Sequence, residues 1–589
     1  MSYKRLLFLE LALFVFAAGI IGRLFYWQIL KHENFLAAAK TQIENTVNIG
    51  AQRGKILSSD GSILVSNQKA YLVYAILPEI NKLKAKDKNE DTFIKEIVER
   101  LTPILLEEKL SGKEKVTQKD RDVALAEIKE YLNSQLRQKD LIWVPLAKKI
   151  TEETKKKIES LKIKGIGFEN DTQRFYPDTG IAANLLGFVG KNSEGNDKGY
   201  FGLEGYYDKE LGGRPGRLVQ QVDSFGKPIL AAPLEGVKAL NGSDLLTTID
   251  RTVQYTVEKK LKDGVERFGA KGGAVIILDT KTGAVLSSVS YPTFNPLDAP
   301  SYKPETYKNL GMSEIFEPGS TFKAVTFSSA LDANAINTNT ICPCNGPIKV
   351  SGYEITTWNN KFNPNSTPAQ ILLNSDNVGA GFAGQKLGTN RFLQYIKDFN
   401  FGSVLGIDLQ GEEAGILKER KDWSEVDLVT ASFGQGLSVT ALQMTSALAT
   451  IANDGKLMKP YVVKKIIGPK GEVEFKPKEI RQVIEPATAA TMKELLLAAV
   501  EGGRPMRGIL HGYRVAGKTG TAQVPIEGKY SGKTIASFVG FGPVENPKFA
   551  AIVVLFEPSA SIWAVETAEP LFFDIIKDLY PYWGIQVRQ

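Results

Sequence analysis

The stretch Phe316-Glu317-Pro318-Gly319-Ser320-Thr321-Phe322-Lys323 decides the fold of this chain. Its Pro-Gly pair predicts a helix entry, and the run that follows, as far as Phe327, has helical spacing. Residues i and i+3 share one face of a helix, so we expect Lys323 beside the hydroxyl of Ser320. A serine becomes a good nucleophile when an adjacent base takes its proton, and burial can lower the pKa of a lysine enough for that role. The alternative is an N-capping serine followed by an exposed lysine.

Two other Ser-x-x-Lys tetrads occur, at Ser66/Lys69 and Ser224/Lys227, so the tetrad by itself is not specific. The first lies in a region that reads as rich in turns, and Gly226 interrupts any helix in the second. Because only Ser320 combines the tetrad with a helix entry, the sequence favours Ser320 as the nucleophile.

The segment Ser375-Asp376-Asn377 is the only Ser-x-Asn in the chain. It lies between a predicted helix opened by Thr367-Pro368 and another that runs to Leu387-Gly388. A hydroxyl and an amide presented from such a turn are suited to relay a proton and to hold a substrate amide. An Asx-type turn that only links the helices is the other interpretation.

The segment Lys518-Thr519-Gly520-Thr521 lies in a predicted strand. Glycine there lets a substrate backbone approach closely, while Lys518 and Thr519 face a cleft. An earlier copy, Lys281-Thr282-Gly283, separates two apolar runs and is interpreted as a hairpin turn.

Composition restricts the chemistry further. The 589 residues include two histidines and two cysteines, too few for a Ser-His-Asp triad, a histidine-ligated zinc protease or a cysteine-rich zinc module. The net charge of +7 is a small excess over a balanced mixture and does not indicate nucleic-acid binding. We interpret Cys342-Pro343-Cys344 as free thiols, because a disulfide across one residue closes a small, strained ring.

The N-terminal segment predicts a membrane anchor. Lys4 and Arg5 precede a mostly apolar run from Leu6 to Gly22, which Arg23 and the aromatic cluster Phe25-Tyr26-Trp27 follow. A cleaved signal peptide is the alternative, but apolar residues continue past the small residues Ala17-Ala18-Gly19. We expect a single-pass protein.

Changes of composition along the chain predict its domains. Residues 1–30 form a cytoplasmic stub and anchor, 31–238 an elongated, β-rich, non-catalytic pedestal with a charged helical insertion near 80–165, and 239–589 the catalytic domain. In the last, apparent strands at 274–280, 284–290, 514–524, 534–541 and 549–556 would form an antiparallel sheet flanked by helices. The expected fold class is α+β.

The ordered set Ser-x-x-Lys, Ser-x-Asn, Lys-Thr-Gly resembles that of penicillin-recognising serine acyl-transferases. Over nearly the whole chain the sequence is similar to class B penicillin-binding proteins, the membrane-anchored D,D-transpeptidases of peptidoglycan synthesis. The segments that carry this resemblance also include Arg53-Gly54-Lys55-Ile56, Arg174-Phe175-Tyr176-Pro177, Gly202-Leu203-Glu204-Gly205, Leu246-Thr247-Thr248-Ile249-Asp250 and Ser432-Phe433-Gly434-Gln435-Gly436.

The resemblance implies a role for each motif residue. Ser320 would attack the penultimate D-Ala carbonyl of a stem peptide, with Lys323 as general base, Ser375 as proton relay and Asn377 holding the substrate amide. Lys518 would tune the electrostatics, Thr519, Gly520 and Thr521 would bind substrate, and the backbone N–H groups of Ser320 and Thr521 would form the oxyanion hole. No metal or organic cofactor is implied.

The resemblance also implies a cellular setting. The catalytic domain would face the periplasm or wall, and penicillin and other β-lactams would acylate the enzyme. Partners would be the membrane, a polytopic membrane glycosyltransferase, and divisome or elongasome proteins. The segments around Ser320, Ser432 and Ala536 are more similar to the division-type (septal) branch. An elongation-type enzyme is the first alternative, and a β-lactamase or a non-catalytic β-lactam sensor is the second.

Overall fold

The structure is a computed structural model of the chain. It describes residues 3–81, 90–111, 116–138, 141–178, 180–193, 195–221, 235–502, 512–526 and 529–587. The chain forms two compact units, one of Met1–Arg53 with Gly212–Gly242 and one of Gly54–Leu211 with Ser243–Gln589. The Ser224/Lys227 tetrad lies outside the described residues.

The first unit contains the apolar N-terminal segment. Helix Tyr3–Phe25 continues through a π-helical turn, Tyr26–Leu30, and the stretch Tyr3–Leu30 has a mean hydropathy of 2.1 over its most apolar part. Among the described residues this is the one helix long and apolar enough to cross a membrane, which is consistent with a single-pass protein. The unit also holds helix His32–Ile43 and an antiparallel sheet of three strands, Glu44–Ile49, Gly216–Gln221 and Glu235–Val237.

A five-stranded antiparallel sheet organises the second unit. In spatial order its strands are Val285–Tyr291, Gly272–Asp279, Phe549–Phe556, Lys529–Gly542 and Ala516–Ile526. The predicted α+β class is therefore confirmed, and each predicted strand lies within a few residues of an observed one. Lys281-Thr282-Gly283 forms the predicted hairpin turn, where the Asp279 carboxylate accepts the N–H groups of Lys281 and Thr282.

Helices cover both faces of this sheet. Helices Arg251–Phe268 and Ala568–Tyr582 pack on one face, where alternate apolar residues of the strands join a buried cluster with them. The other face packs against the fully buried helix Ala441–Ala452 and belongs to the largest apolar cluster of the chain. Among the described strands, the edge strand Ala516–Ile526 pairs with one neighbour only, so its other edge is open to line a groove.

The charged insertion has its own apolar core. Helices Glu90–Leu110, Gln118–Leu136 and Glu152–Ser160 share a buried apolar cluster with strand Trp143–Ile150, and Ile94, Ile97, Val98 and Leu101 of the first helix are buried in it. Strand Trp143–Ile150 pairs with Ile63–Ile76, which also pairs with Ile166–Phe175.

Short elements complete the second unit. Its further α-helices include Ala183–Leu186, Gly202–Tyr206, Asp208–Gly212, Leu310–Ser313, Lys323–Asp332, Pro368–Asn374, Asn377–Leu387, Thr389–Asp398, Glu425–Ala431 and Pro486–Glu501. Short 3-10 helices include Pro296–Ser301, Pro304–Tyr307, Gly319–Phe322, Arg420–Asp422 and Ala564–Glu566. Its remaining strands are Ile56–Leu57, Phe188–Lys191, Asp197–Tyr200, Asp244–Thr247, Ile315–Phe316, Ile348–Val350, Tyr353–Ile355, Val439–Thr440, Lys456–Met458, Val463–Gly468, Gly471–Glu474 and Glu479–Gln482.

Two local predictions are wrong. Ser66 and Lys69 lie inside the long strand Ile63–Ile76 rather than in a turn-rich region, because ten consecutive residues of that strand pair with Ile166–Phe175. Cys342 and Cys344 form a disulfide rather than free thiols. The two Cα atoms lie 5.3 Å apart, an ordinary disulfide separation, so one intervening residue is enough for the bond.

Candidate active site

The predicted nucleophile lies where a tight turn becomes a helix. Residues Gly319–Phe322 form a 3-10 turn, which we call the nucleophile turn, and the α-helix Lys323–Asp332 follows directly. The helix entry predicted from Pro-Gly is confirmed, except that Ser320 lies in the 3-10 turn rather than in the α-helix. Gly319 has a φ of 55°, a left-handed conformation that favours glycine.

Lys323 is fully buried at the centre of the site. Its Nζ lies 3.0 Å from the Oγ of Ser320 and 2.8 Å from the Oδ1 of Asn377, and it donates to the carbonyl oxygen of Ser375 at 2.6 Å. It is also 3.3 Å from the Ser375 hydroxyl. The exposed-lysine interpretation of the tetrad is therefore wrong.

The Ser-x-Asn motif lies in the predicted turn between two helices. Thr367 caps helix Pro368–Asn374, and Ser375 then adopts a left-handed backbone with φ 53°. Asp376 caps helix Asn377–Leu387 by accepting the N–H groups of Val378 and Gly379. The turn thus presents Ser375 and Asn377 to Lys323, while buried Asp376 holds the turn in place.

Lys518 reaches the same hydroxyl from the edge strand. Its Nζ lies 3.1 Å from the Oγ of Ser375 and 3.3 Å from the Oγ1 of Thr519. The hydroxyl of Thr521 accepts the N–H of Ala564 at 3.1 Å. The three motifs of the sequence therefore meet at one point, around the hydroxyls of Ser320 and Ser375.

Gly520 is required for a reason that the sequence did not reveal. A Cβ on Gly520 would lie 2.7 Å from the carbonyl oxygen of Pro318 and 2.8 Å from the methyl group of Thr321. The backbone that approaches Gly520 is thus that of the segment entering the nucleophile turn, whereas the sequence interpretation placed a substrate there. This close approach brings the backbone before Ser320 against the strand that carries Thr521.

Burial sets the charges of both lysines. Burial lowers the pKa of Lys323 well below its usual value, and the positive charge of Lys518 lowers it further, against an opposing effect of Asp376. Burial lowers the pKa of Lys518 to about 8, and the carboxylate of Glu569 acts in the opposite direction. Near neutral pH, Lys518 is therefore the charged lysine, and Lys323 is the one suited to accept a proton.

Sequence reasoning missed Glu569, which lies at the start of helix Ala568–Tyr582 and is 6 % exposed. Burial raises its pKa to about 7, and the charge of Lys518 lowers it. Lys518 lies 51 positions earlier in the chain, so no local sequence pattern connects Glu569 with it. Within the described ranges, no cluster of three or more His, Cys, Asp or Glu side chains is arranged to hold a metal ion.

Comparison with known proteins identifies the family. Residues 273–577 match the penicillin binding protein transpeptidase domain, and residues 48–247 match the penicillin-binding protein dimerisation domain. This chain belongs to the penicillin-binding protein transpeptidase family.

Relatives of the family align along most of the chain. It is 31% identical to "Stage V sporulation protein D" of Bacillus subtilis, covering 100% of this chain and 87% of the relative. It is 30% identical to "Peptidoglycan D,D-transpeptidase FtsI" of Escherichia coli K12, covering 71% and 68%. The crystal structure of a peptidoglycan synthetase from Bifidobacterium adolescentis aligns with a TM-score of 0.70 at 26% identity, covering 93% of this chain and 98% of that one. The predicted class and branch are confirmed.

Proposed function

We propose that the chain is a peptidoglycan D,D-transpeptidase in which Ser320 is the acylated nucleophile. The observation that carries this proposal is the contact between fully buried Lys323 and the Ser320 hydroxyl, 3.0 Å from Nζ to Oγ. Membership of the family and the name of the FtsI relative support peptidoglycan stem peptides as the substrate.

The reaction has two steps. Lys323 takes the Ser320 proton as Oγ attacks the penultimate D-Ala carbonyl, the peptide bond to the terminal D-Ala breaks, and that D-Ala leaves with its amine protonated through Ser375. An amine of a second stem then attacks the ester, and the Ser320 hydroxyl is restored as the crosslink forms. The backbone N–H groups of Ser320 and Thr521 stabilise the oxyanion in both steps, a contact worth about 3 kcal/mol in the transition state.

The other motif residues bind the substrate or tune the charge of the site. Asn377 holds the substrate amide, Thr519 and Thr521 bind the substrate carboxylate, and charged Lys518 tunes the electrostatics. Support for this assignment is that Lys518 and Thr519 lie on an edge strand with one free side, beside the Ser375 hydroxyl.

Penicillin takes the place of the donor stem, because its β-lactam carbonyl is attacked in the same way. Among the described residues, no carboxylate is hydrogen-bonded to Ser320 Oγ or Lys323 Nζ. A dedicated water-activating base of the kind a β-lactamase needs is therefore missing from those contacts, and we expect the penicilloyl ester to persist.

The relatives and the N-terminal helix support a cellular setting for the enzyme. We propose that residues 1–30 anchor the chain, 31–238 form the pedestal and 239–589 form the transpeptidase domain outside the cytoplasm. The resemblance to division-type relatives supports septal crosslinking, with a polytopic membrane glycosyltransferase and divisome proteins as partners. An elongation-type role with elongasome partners is the alternative.

One experiment tests the proposal directly. The protein is treated with labelled penicillin, and the adduct is located by mass spectrometry in wild type and in Ser320→Ala. We expect a single adduct on Ser320 that is released slowly; an adduct on another residue would overturn the assignment, and rapid turnover would favour a β-lactamase.

The cellular role is tested by locating the enzyme in dividing cells. Labelling at midcell supports the septal role, whereas uniform sidewall labelling favours the elongation role.

A further inference from the structure

Glu317 connects three segments at the entry to the nucleophile turn. Its Oε1 accepts the backbone N–H of Gly436 at 2.8 Å, and the hydroxyl of Tyr530 donates to its Oε2 at 3.1 Å. The preceding residues, Ile315–Phe316, pair with strand Val439–Thr440. Glu317 is thus held by the segment that contains Gly436 and Val439–Thr440, and it contacts the hairpin that contains Tyr530.

The loop that contains Gly436 also touches the nucleophile turn. The N–H of Gly319 donates to the carbonyl oxygen of Gly434 at 3.0 Å, and a Cβ on Gly434 would lie 2.1 Å from the oxygen of Gly319. A shift of Gly434 and Gly436 would therefore move the peptide unit that carries the Ser320 N–H.

Tyr530 ties the same carboxylate to the edge strand. Tyr530 opposes Pro525 across the hairpin, and the Ser531 hydroxyl donates to the carbonyl oxygen of Val524 at 2.7 Å. The hairpin continues the strand that carries Thr521, so the two halves of the proposed oxyanion hole are linked through Glu317.

We propose that Glu317 is a positioning residue that fixes the Ser320 N–H relative to Thr521 through its hydrogen bonds to Gly436 and Tyr530. The proposal rests on the proposed function, because it concerns the rate of Ser320 acylation. Glu317 acts through the loop and the hairpin, and its carboxylate does not bind substrate.

The charged carboxylate of Glu317 accepts both hydrogen bonds. Burial raises the pKa of Glu317, and the bonds from Gly436 and Tyr530 lower it; the same pairing and burial raise the pKa of Tyr530 to about 12. Four other charged residues line a cavity of about 490 Å³ with Glu317: Glu305, Glu314, Glu557 and Lys271. In the neutral form of Glu317 the protonated oxygen donates to the Tyr530 oxygen and the other oxygen still accepts from Gly436, so both contacts persist on protonation.

The test compares Glu317→Ala, Glu317→Gln and Tyr530→Phe in the full chain, using a fluorescent penicillin to separate the pre-covalent dissociation constant from the acylation rate constant. We expect Glu317→Ala to slow acylation about 10- to 100-fold, the size expected when a catalytic group is misplaced by about 1 Å, with little change in the dissociation constant. Glu317→Gln should recover most of the rate at neutral pH, because its amide can accept from Gly436 and donate to the Tyr530 oxygen.

The variants test the hydrogen bonds of the Glu317 side chain rather than its charge. Wild type and Glu317→Gln should share one acid limb, set by Lys323, because the neutral amide and the protonated carboxyl make the same two contacts. Tyr530→Phe keeps the bond from Gly436 but loses the tie to the hairpin, so its acylation rate should lie between those of wild type and Glu317→Ala. Glu314→Ala is the matched control, an exposed glutamate on the same segment and cavity, and it should acylate like wild type.

Several results would overturn the inference. They are a folded Glu317→Ala with a wild-type acylation rate, a folded Glu317→Gln that stays as slow as Glu317→Ala, and a Glu314→Ala that slows as much as Glu317→Ala. If wild type itself is not acylated on Ser320, the proposed function fails first. Melting temperatures identify a variant that is slow because it is unfolded, and in that case the acylation rates of Glu317→Gln and Tyr530→Phe decide.

Discussion

The Nζ of Lys518 lies 3.1 Å from the Oγ of Ser375, the hydroxyl that also lies 3.3 Å from the Nζ of Lys323. Two buried ammonium groups this close to one hydroxyl repel each other, and burial penalises each charge. The positive charge of Lys518 therefore helps to keep Lys323 neutral, which is the form that can take the Ser320 proton.

Replacing Lys518 should shift the pH dependence of acylation in a defined direction. Lys518→Gln removes the cation that lowers the Lys323 pKa, so Lys323 should bind its proton more tightly and the acid limb of the rate profile should move to higher pH. Lys518→Arg keeps the charge and should leave the acid limb near its wild-type position. The measurement is the penicillin acylation rate from pH 5 to 9; equal shifts in both variants would contradict the electrostatic role.

Asp376 should have the opposite effect on the same limb. Its carboxylate raises the Lys323 pKa, so Asp376→Asn should move the acid limb to lower pH. Asparagine still caps the helix at Val378, whereas Asp376→Ala loses the cap and should lower the free energy of unfolding by about 1 kcal/mol. Urea unfolding and the pH profile of the acylation rate together separate the effect of the charge from that of the cap. An acid limb that moves to higher pH in Asp376→Asn would contradict the electrostatic argument.

Gly520 provides a steric test of the contact between the edge strand and the nucleophile turn. In Gly520→Ala the new methyl would lie 2.7 Å from the Pro318 oxygen, a backbone atom that cannot move away alone. We expect slower acylation and a loss of about 1–3 kcal/mol of stability, as for other overpacked sites. Gly532→Ala, in the adjacent hairpin strand, meets nothing within 4 Å and is the matched control. Equal rates in the two variants would show that the contact is not needed.

The Ser375 hydroxyl can be tested by deletion. Ser375→Ala leaves the carbonyl contact to Lys323 but removes the group shared by both lysines, so acylation should fall about 100-fold or more, as for loss of a general acid or base. Ser329→Ala is a control in helix Lys323–Asp332, where the buried hydroxyl donates to the Val325 carbonyl. Comparable rates in the two variants would exclude a relay through Ser375.

The sequence predicted those parts of the site that depend on local pattern. The spacing of Ser320 and Lys323, the capped helices on either side of Ser375 and the strand around Lys518 are each set by residues close in the chain. The order of the motifs and the family resemblance then brought them together.

The remaining features depend on residues that are distant in the chain. Glycine is needed at position 520 because the Pro318 backbone lies against it, and the role of Glu317 comes from its hydrogen bonds to Gly436 and Tyr530. These contacts arise only when separate segments pack together. Burial also decides which lysine is neutral, and the depth of a side chain cannot be read from spacing within one motif.

The disulfide gives a last test, because sequence spacing argued against it. Cys342 pairs with Ser366 through two backbone hydrogen bonds, so the loop that holds both cysteines is fixed just before the helix that leads to Ser375. Alkylation of the unfolded, unreduced protein should label neither cysteine, and reduction should expose both. Because the closed loop is very short, the unfolded chain gains little freedom without the bond, and Cys342→Ala/Cys344→Ala should lose less than about 2 kcal/mol. Labelling of both thiols without reductant would restore the free-thiol interpretation, and a much larger loss in urea unfolding would show that the bond holds the Ser375 segment in place.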